Sequence, residues 1–418
     1  MARAVSHLSV GLDIGTSKIA LCIGTLQDGV PTILGMSRSP SAGIRKGVVS
    51  EIEETISALS FALEAAERIS GTPIQSVTVG IEGAHITTTR SKGVVAVNRP
   101  NSEISPEDSY RAIEAARAVA LPPNQEILHV LPKLFSVDGL EGVKDPAGMV
   151  GIRLEVDTFI IGASTAALRN LTRAVSSAGL QVDDLVFGPL ATANAVIDKP
   201  QRENGVMLVD FGAATTSLIV FEEGDVIHAN VLPIGSSHIT NDIAIGLRTN
   251  LDMAERIKQE YGYALSADIT DKEVIDLADI DPSEETTTSR KYVCEIIEAR
   301  LGEVFSMIRD ELRIIGKDGM LPAGVVFTGG GARLAGLADA AKDMLQLPAE
   351  IGTPFGTISG MVDALDDPLY ATSVGLMMTG LTHPHGHGPR PTMPLTSFDQ
   401  HINGVFDKAK GFLKNLLP

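Results

Sequence analysis

Two stretches of the chain place an aspartate, a glycine and small hydroxyl residues in the same order. Asp13, Gly15, Thr16, Ser17 and Lys18 follow one apolar run, and Asp210, Gly212, Ala213, Thr215 and Thr216 follow another. The offset is constant: 210 − 13 = 197 and 212 − 15 = 197. A glycine turn lets backbone N–H groups come close to a phosphate chain. The hydroxyls add donors, and Lys18 adds a point charge. Asp13 and Asp210 are candidate partners for Mg²⁺, held through its waters because that ion keeps most of its hydration shell. One Asp-x-Gly turn between strands is usually only a turn. Two at matching places in two halves imply a duplicated phosphate site.

A third glycine cluster follows an apolar strand at Gly324–Phe327. Here Gly329, Gly330, Gly331 and Ala332 allow backbone to lie flat against adenine and ribose. The three turns together describe a nucleotide cleft between two domains, with ATP and Mg²⁺ as its expected occupants.

These turns need elements to hold them. Residues 10–24 read as strand, tight turn, strand. Residues 51–70 carry Ile52, Ile56, Leu59, Leu63 and Ala66 at helical spacing, and 77–81 read as a strand. From about residue 90 to 162, strand-like runs at 93–97, 127–137 and 152–161 surround one helix at 106–120. Ser105 caps that helix, and Glu107 and Asp108 suit its first turn. This is an inserted α+β module. Helices are further predicted at 165–178, 188–197, 252–261 and 290–315. Repeated α/β halves are the natural frame for such a pattern.

Formal charge is −18, from 34 basic and 52 acidic residues. That argues against nucleic acid as the main partner and against the body of the chain sitting on anionic lipid. Cys22 and Cys294 form no CxxC pair, which suits a reducing compartment. The first residues lack the apolar core of a signal peptide, and no stretch reaches the ~18 apolar residues of a spanning helix. The expected location is the cytoplasm.

The order of phosphate turn, helix, second phosphate turn and adenosine glycines resembles the actin/Hsp70/hexokinase superfamily. Within it, GLDIGTSKIA, VMLVDFGAATTSL, VVFTGGGARLAGL and DPLYATSVGL, with the inserted module, resemble the FtsA family of bacterial cell-division proteins. The resemblance implies an α/β, actin-like fold of duplicated RNase H-like domains with a small inserted subdomain and a C-terminal amphipathic helix. It implies subdomain 1A at 1–87 and 164–200, subdomain 1C at 88–163, and subdomain 2A at 201–227. Subdomain 2B would span 228–304, with the rest of 2A and a return to 1A at 305–382. Residues 189–196 and 370–376 resemble the two hinge helices. Glu255 and Lys258 match residues that reach ribose and adenine, and Gly235 matches a phosphate-side glycine.

The family also implies filaments of the chain itself, a tie to the tubulin-like division protein FtsZ through its C-terminal peptide, and other division proteins meeting subdomain 1C. Lys291 and Arg300, taken as one cluster on a helix side, are the candidates for the FtsZ contact. Any ATPase activity is expected to be slow, with Thr192 or Asn194 as the residue that positions water. A sugar or acetate kinase, or a type IV pilus assembly protein such as PilM, is the alternative within the same superfamily.

Residues 383–396 form a Pro/Gly/His linker. His383, His385 and His387 alternate there without fixed geometry. Beyond it, Phe398, Ile402, Val405, Phe406, Phe412, Leu413, Leu416 and Leu417 fall on a helical arc of roughly 140° at 100° per residue. Lys408, Lys410 and Lys414 flank that arc, and charge over 397–417 is +3 − 2 = +1. This reads as an in-plane membrane helix. Its apolar face contributes at most ~12 kcal/mol at ~1.5 kcal/mol per side chain. One tail therefore binds reversibly, and a polymer of tails binds by avidity. Such a tail would place the chain on the cytoplasmic face of the cell membrane, at the division septum.

Overall fold

A computed structural model describes residues 8–98, 101–118, 121–282, 286–356, 358–361 and 365–382. The expected membrane helix and the linker before it lie outside the described residues. Two mixed sheets dominate. The first runs, in spatial order, Gln181–Phe187, Ser76–Ile81, Leu8–Ile14, Lys18–Gln27, Val30–Pro40 and Ser359–Gly360. The second runs Asp225–Leu232, Thr216–Glu222, Val206–Phe211, Val325–Thr328 and Ala349–Ile351.

The duplication is visible in the pairing. In each half an antiparallel three-strand meander begins the sheet, and a later strand joins the first one in parallel. Asp13 sits opposite Ala20 in the first half, and Asp210 sits opposite Ser217 in the second. The same offset of 197 relates both members: 210 − 13 and 217 − 20. Parallel neighbours require a crossover connection, and in each half a long helix of that crossover packs on the sheet. Ile52–Ser70 carries Leu59, Ala62 and Ala66 into the first core, and Arg290–Ile314 carries Ile297, Leu301 and Phe305 into the second. Gly71, in the left-handed region at φ 65°, ends the first of these.

A third core joins the halves. Cys22, Ile33 and Phe187 from the first meet Leu208, Phe221 and Val326 from the second, with Met377 between them. Met377 belongs to Ala371–Thr382, a helix late in the chain that returns to lie against the first sheet. There it crosses Gly188–Val196. The approach is so close that a Cβ at Gly375 would lie 2.1 Å from the Ala191 carbonyl oxygen. The two hinge helices suggested by resemblance are thus in direct contact.

The inserted module is a four-stranded antiparallel sheet ordered Ile86–Ala96, Arg153–Ser164, Gln125–Val137 and Leu140–Val143. Pro106–Arg117 covers one face, and its capping box is formed: Ser105 Oγ accepts from Asp108 N, and Asp108 Oδ2 accepts from Ser105 N. The observed strands are longer than the apolar runs that suggested them, since Thr87–Lys92 carries the polar side of the first. The module leaves the first half yet braces the second. Thr88 Oγ1 donates to the Ala229 carbonyl at 3.2 Å, Arg90 to the Ile227 carbonyl at 3.1 Å, and Lys144 Nζ to the Glu223 carbonyl at 2.6 Å.

On the first half, the Phe187 amide donates to His129 Nε2 at 2.9 Å, which requires a neutral imidazole. Burial pulls the pKa of His129 down to about 4, against the nearby charge of Asp184. Its unfolded value is about 6.5. Between these values the unfolded chain binds the extra proton, so the contribution of this group is present above pH ~6.5 and is lost as pH falls toward 4. The expected loss is at most about 3 kcal/mol. Urea midpoints from pH 7 to 4.5 should fall less steeply for His129→Gln than for the parent chain. Equal slopes would show that this imidazole is not held neutral.

Candidate nucleotide cleft

The two Asp-x-Gly turns face each other across a cleft of about 1300 Å³. They are built alike. The Gly15 amide donates to the Lys18 carbonyl at 2.9 Å, and the Gly212 amide donates to the Thr215 carbonyl at 3.0 Å. Once more 212 − 15 = 197 and 215 − 18 = 197, so one hydrogen-bonded turn occurs twice. Asp13, Gly15, Thr16, Ser17 and Lys18 line one wall; Asp210, Gly212, Ala213 and Thr215 line the other.

The floor is crowded with charge. Asp13 and Asp210 are 8% and 7% exposed, so neither carboxylate is freely hydrated. Lys18 Nζ lies 2.5 Å from Asp13 Oδ2. Burial disfavours the Lys18 ammonium, yet the charge and hydrogen bond of Asp13, with Asp210 and Glu82 beyond, hold its pKa above the ordinary value. Asp210 is the opposite case. Burial and the neighbouring Asp13 charge push its pKa up to about 6, despite Lys18 and the hydrogen bond from Thr372. Burial, then Asp210 and Asp13, push the Glu82 pKa well above its ordinary value.

Asp210 is also the node of a buried chain. Thr372 Oγ1 donates to its Oδ2 at 2.9 Å, and Thr192 Oγ1 lies 2.9 Å from Thr372 Oγ1. One hinge helix supplies each threonine. On its other side Asp210 meets the third glycine turn. Gly329 has φ 84°, and a Cβ there would stand 2.2 Å from Asp210 Oδ1. Only glycine allows the turn to close on that carboxylate.

Gly329, Gly330 and Gly331 line the cleft; Ala332 is buried behind them in the second core. The turn continues as a short 3₁₀ segment, Gly330–Arg333, and the helix begins only at Leu337. Gly235 is placed under the second turn rather than on the cleft surface. A Cβ there would lie 2.5 Å from the Ala213 carbonyl, and the next two amides, of Ser236 and Ser237, donate to Gly212 and Ala213. Those amides begin Ser236–Leu247, whose first residues, Ser236, Ser237 and His238, line the cleft. A helix start there favours anions. Glu255 and Lys258 line the far side as a pair, Nζ to Oε2 2.7 Å, with Thr240 bonded to both. Burial lowers Lys258 by more than Glu255 restores it.

Several lining residues escape the sequence reading. Arg38, Glu82, Arg333 and Thr372 all reach the cleft. Arg333 stood in view, two residues past the glycines; Glu82 carried no spacing signal, because it closes an ordinary apolar strand. Thr192 is fully buried, and Asn194 accepts from Arg202 at 2.9 Å; neither lines the cleft. Lys291 and Arg300 do not form one cluster. Nine residues along a helix is half a turn out of phase. Lys291 pairs with Asp271 at 2.6 Å, and Arg300 grips Asp242 through two nitrogens at 2.5 and 2.9 Å.

A family model described as the cell division protein FtsA matches residues 207–375, and another, the SHS2 domain inserted in FTSA, matches 83–162. The chain is 38% identical over 373 residues to the cell division protein FtsA of Pseudomonas aeruginosa, covering 89% of each. The chain belongs to the FtsA family. It is likewise 37% identical to FtsA of Bacillus subtilis, over 89% of this chain and 83% of the relative. FtsA of Escherichia coli is 32% identical over 96% of this chain and 98% of the relative. Among solved structures, the PilM-PilN type IV pilus biogenesis complex superposes with a TM-score of 0.65 at 19% identity, over 89% of this chain and 98% of that one. MreB5 of Spiroplasma citri bound to ADP gives 0.54 at 12% identity, over 90% and 97%. At these identities the likeness shows the fold, which is actin-like.

Crowding at the floor of the FtsA-family cleft has a measurable cost. Asp210 titrates near 6 when folded and near ~3.9 when unfolded. The folded chain therefore holds the extra proton between these values, and stability is lost as pH rises through 6. With chelator present and no nucleotide, Asp210→Asn should raise the melting temperature at pH 8, a gain on the order of 2 kcal/mol that fades toward pH 4. A melting temperature lowered at both pH values would contradict the crowding.

Proposed function

We propose that the chain binds MgATP between its two halves, polymerises, and ties FtsZ filaments to the cytoplasmic face of the membrane at the division septum. The observation that carries the nucleotide reading is the repeated turn, one copy on each wall of a single cleft. A chain of phosphates between them would meet backbone amides from both sides. MreB5 of Spiroplasma citri, of the same fold, has been solved with ADP and with AMPPNP.

The residues present fit a magnesium ion. Asp13 and Asp210 are hard oxygen donors on opposite turns, and a cation would relieve their mutual repulsion. Among the described residues no three or more His, Cys, Asp or Glu side chains converge as a metal cage. That suits an ion held through waters and phosphates rather than by protein alone. Glu255, Lys258 and Gly329–Gly331 would border ribose and adenine, with Gly235 and Ala332 as supports.

Attachment rests on the tail. No helix among the described residues is long and apolar enough to cross a membrane. The arc of Phe398, Ile402, Val405, Phe406, Phe412, Leu413, Leu416 and Leu417 would lie in the interface instead. The subdomain limits read from the sequence stand as part of this proposal. In the inserted module Leu140, Val150 and Ile152 are 60%, 70% and 65% exposed, which suits contact with other division proteins or another copy. Lys291 and Arg300 would contribute to an FtsZ site from different faces of Arg290–Ile314, each exchanging its present acid for the peptide's. Membership of a cell-division family favours this reading over the kinase and pilus alternatives.

Two outcomes follow. Asp210→Ala should weaken magnesium-dependent ATP binding at least ~100-fold by calorimetry, the scale of losing a charged ligand; full retention would remove the two-turn site. Replacing Phe406 and Phe412 by Glu should abolish pelleting with anionic liposomes while ATP binding persists. Unchanged pelleting would refute the anchor.

A further inference from the structure

Three helices among the described residues begin with a side chain that reaches back to the cap amide. In Pro106–Arg117 it is Asp108, and in Lys199–Asn204 it is Gln201. In Ser236–Leu247 it is His238, whose Nδ1 accepts from the Gly235 amide at 3.1 Å. Nδ1 also lies 3.1 Å from the Gly235 carbonyl oxygen, but that oxygen already accepts from the His238 amide at 3.0 Å. The Gly235 amide has no other acceptor among the described residues. An amide can only donate, so Nδ1 keeps its lone pair and the ring proton sits on Nε2. Nε2 has no hydrogen-bond partner among the described residues and is open to solvent, and His238 lines the cleft.

The helix start that carries this ring stands between the two ends of the expected nucleotide. On one side is the second phosphate turn. A Cβ at Gly235 would lie 2.5 Å from the Ala213 carbonyl oxygen and 2.7 Å from that of Gly212. The Ser236 and Ser237 amides donate to Gly212 and Ala213 at 2.9 and 2.8 Å. On the other side is the Glu255–Lys258 pair. Lys258 Nζ donates to the Ser236 carbonyl at 3.3 Å and to Thr240 Oγ1 at 2.8 Å. With phosphates at the turn and ribose beside Glu255, the phosphate that joins them passes His238.

Capping does not explain the choice of histidine. Glutamate or glutamine is the usual residue at this position, and the chain uses an acid or an amide in its other two cases. A carboxylate here would set a negative charge beside a phosphate chain. Imidazole caps without charge and presents a donor from the opposite side of a rigid ring. Glutamine could do both jobs, on a side chain with one more rotatable bond.

We propose that His238 donates from Nε2 to the phosphate next to the ribose, and so helps the cleft select a nucleotide over a nucleoside. This rests on the nucleotide reading above and adds a contact to it. No proton is transferred: the ring stays bonded to Gly235 while Nε2–H holds a phosphate oxygen. ATP and ADP both carry that phosphate, so the contact serves them equally. Adenosine lacks it and gains nothing from the ring.

The test uses the full chain, with ATP and ADP affinities from calorimetry and adenosine measured by displacement of a fluorescent nucleotide. His238→Glu keeps an acceptor for the Gly235 amide and removes the donor, so thermal melts should match the parent. Its affinities for ATP and ADP should fall together by about 10- to 100-fold, the scale of one hydrogen bond to a charged group. The inhibition constant of adenosine should stay within about twofold. His238→Gln, which restores a donor, should recover ATP binding to within about fivefold of the parent. ATP affinity unchanged in His238→Glu would reduce the residue to a helix cap and overturn the inference. So would adenosine weakening as much as ATP. A parent that binds no ATP would overturn the nucleotide reading and this inference together.

Discussion

The buried chain Thr192–Thr372–Asp210 is the contact on which the rest of the molecule depends. Its members come from the two crossing hinge helices and from the end of the strand Val206–Phe211. The crossing tolerates nothing larger than glycine at 375, so the helices cannot slide independently. A change in the separation of the halves must therefore be felt at Asp210. Conversely, whatever neutralises Asp210 acts directly on the hinge. The inserted module adds a second tie, because it grows from the first half and hydrogen-bonds to the edge strand of the second. The halves are coupled at two places, with the cleft above the apolar layer they share.

Three carboxylates, Asp13, Glu82 and Asp210, share the cleft floor with one ammonium, Lys18. Folding alone would not favour this, since burial disfavours each charge and the carboxylates repel one another. A hydrated cation would change the balance by supplying the positive charge and the water donors that the fold withholds. Perturbed groups of this kind cluster where a site does work. The same cluster explains why Asp210 lies against glycine at 329 and Glu82 against glycine at 188: the backbone withdraws its side chains to leave room for carboxylates.

The sequence displayed much of this frame and little of its wiring. The two Asp-x-Gly turns were legible because a repeated local geometry leaves a repeated local signature. The helices at 51–70, 165–178 and 290–315 were legible from apolar periodicity and agree with Ile52–Ser70, Thr165–Ser177 and Arg290–Ile314 to within a residue. The strands Val30–Pro40 and Asp225–Leu232 carry weaker alternation and became visible only through their partners. Glu82 was hidden for a different reason. Its significance comes from Gly188 and Ser217, respectively 106 and 135 residues away along the chain (188 − 82 and 217 − 82), and no local pattern encodes that meeting. Lys291 and Arg300 show the converse error, where proximity along a helix suggested a cluster that helical phase forbids.

The central claim is that one nucleotide bridges the two repeated turns. A crystal structure of the chain with magnesium and a non-hydrolysable ATP analogue tests it most directly. The account predicts phosphates between residues 15–18 and 212–215, adenosine against Gly329–Gly331, and the ion beside Asp13 and Asp210. A nucleotide bound elsewhere, or bound to one turn with the other facing empty solvent, would contradict it.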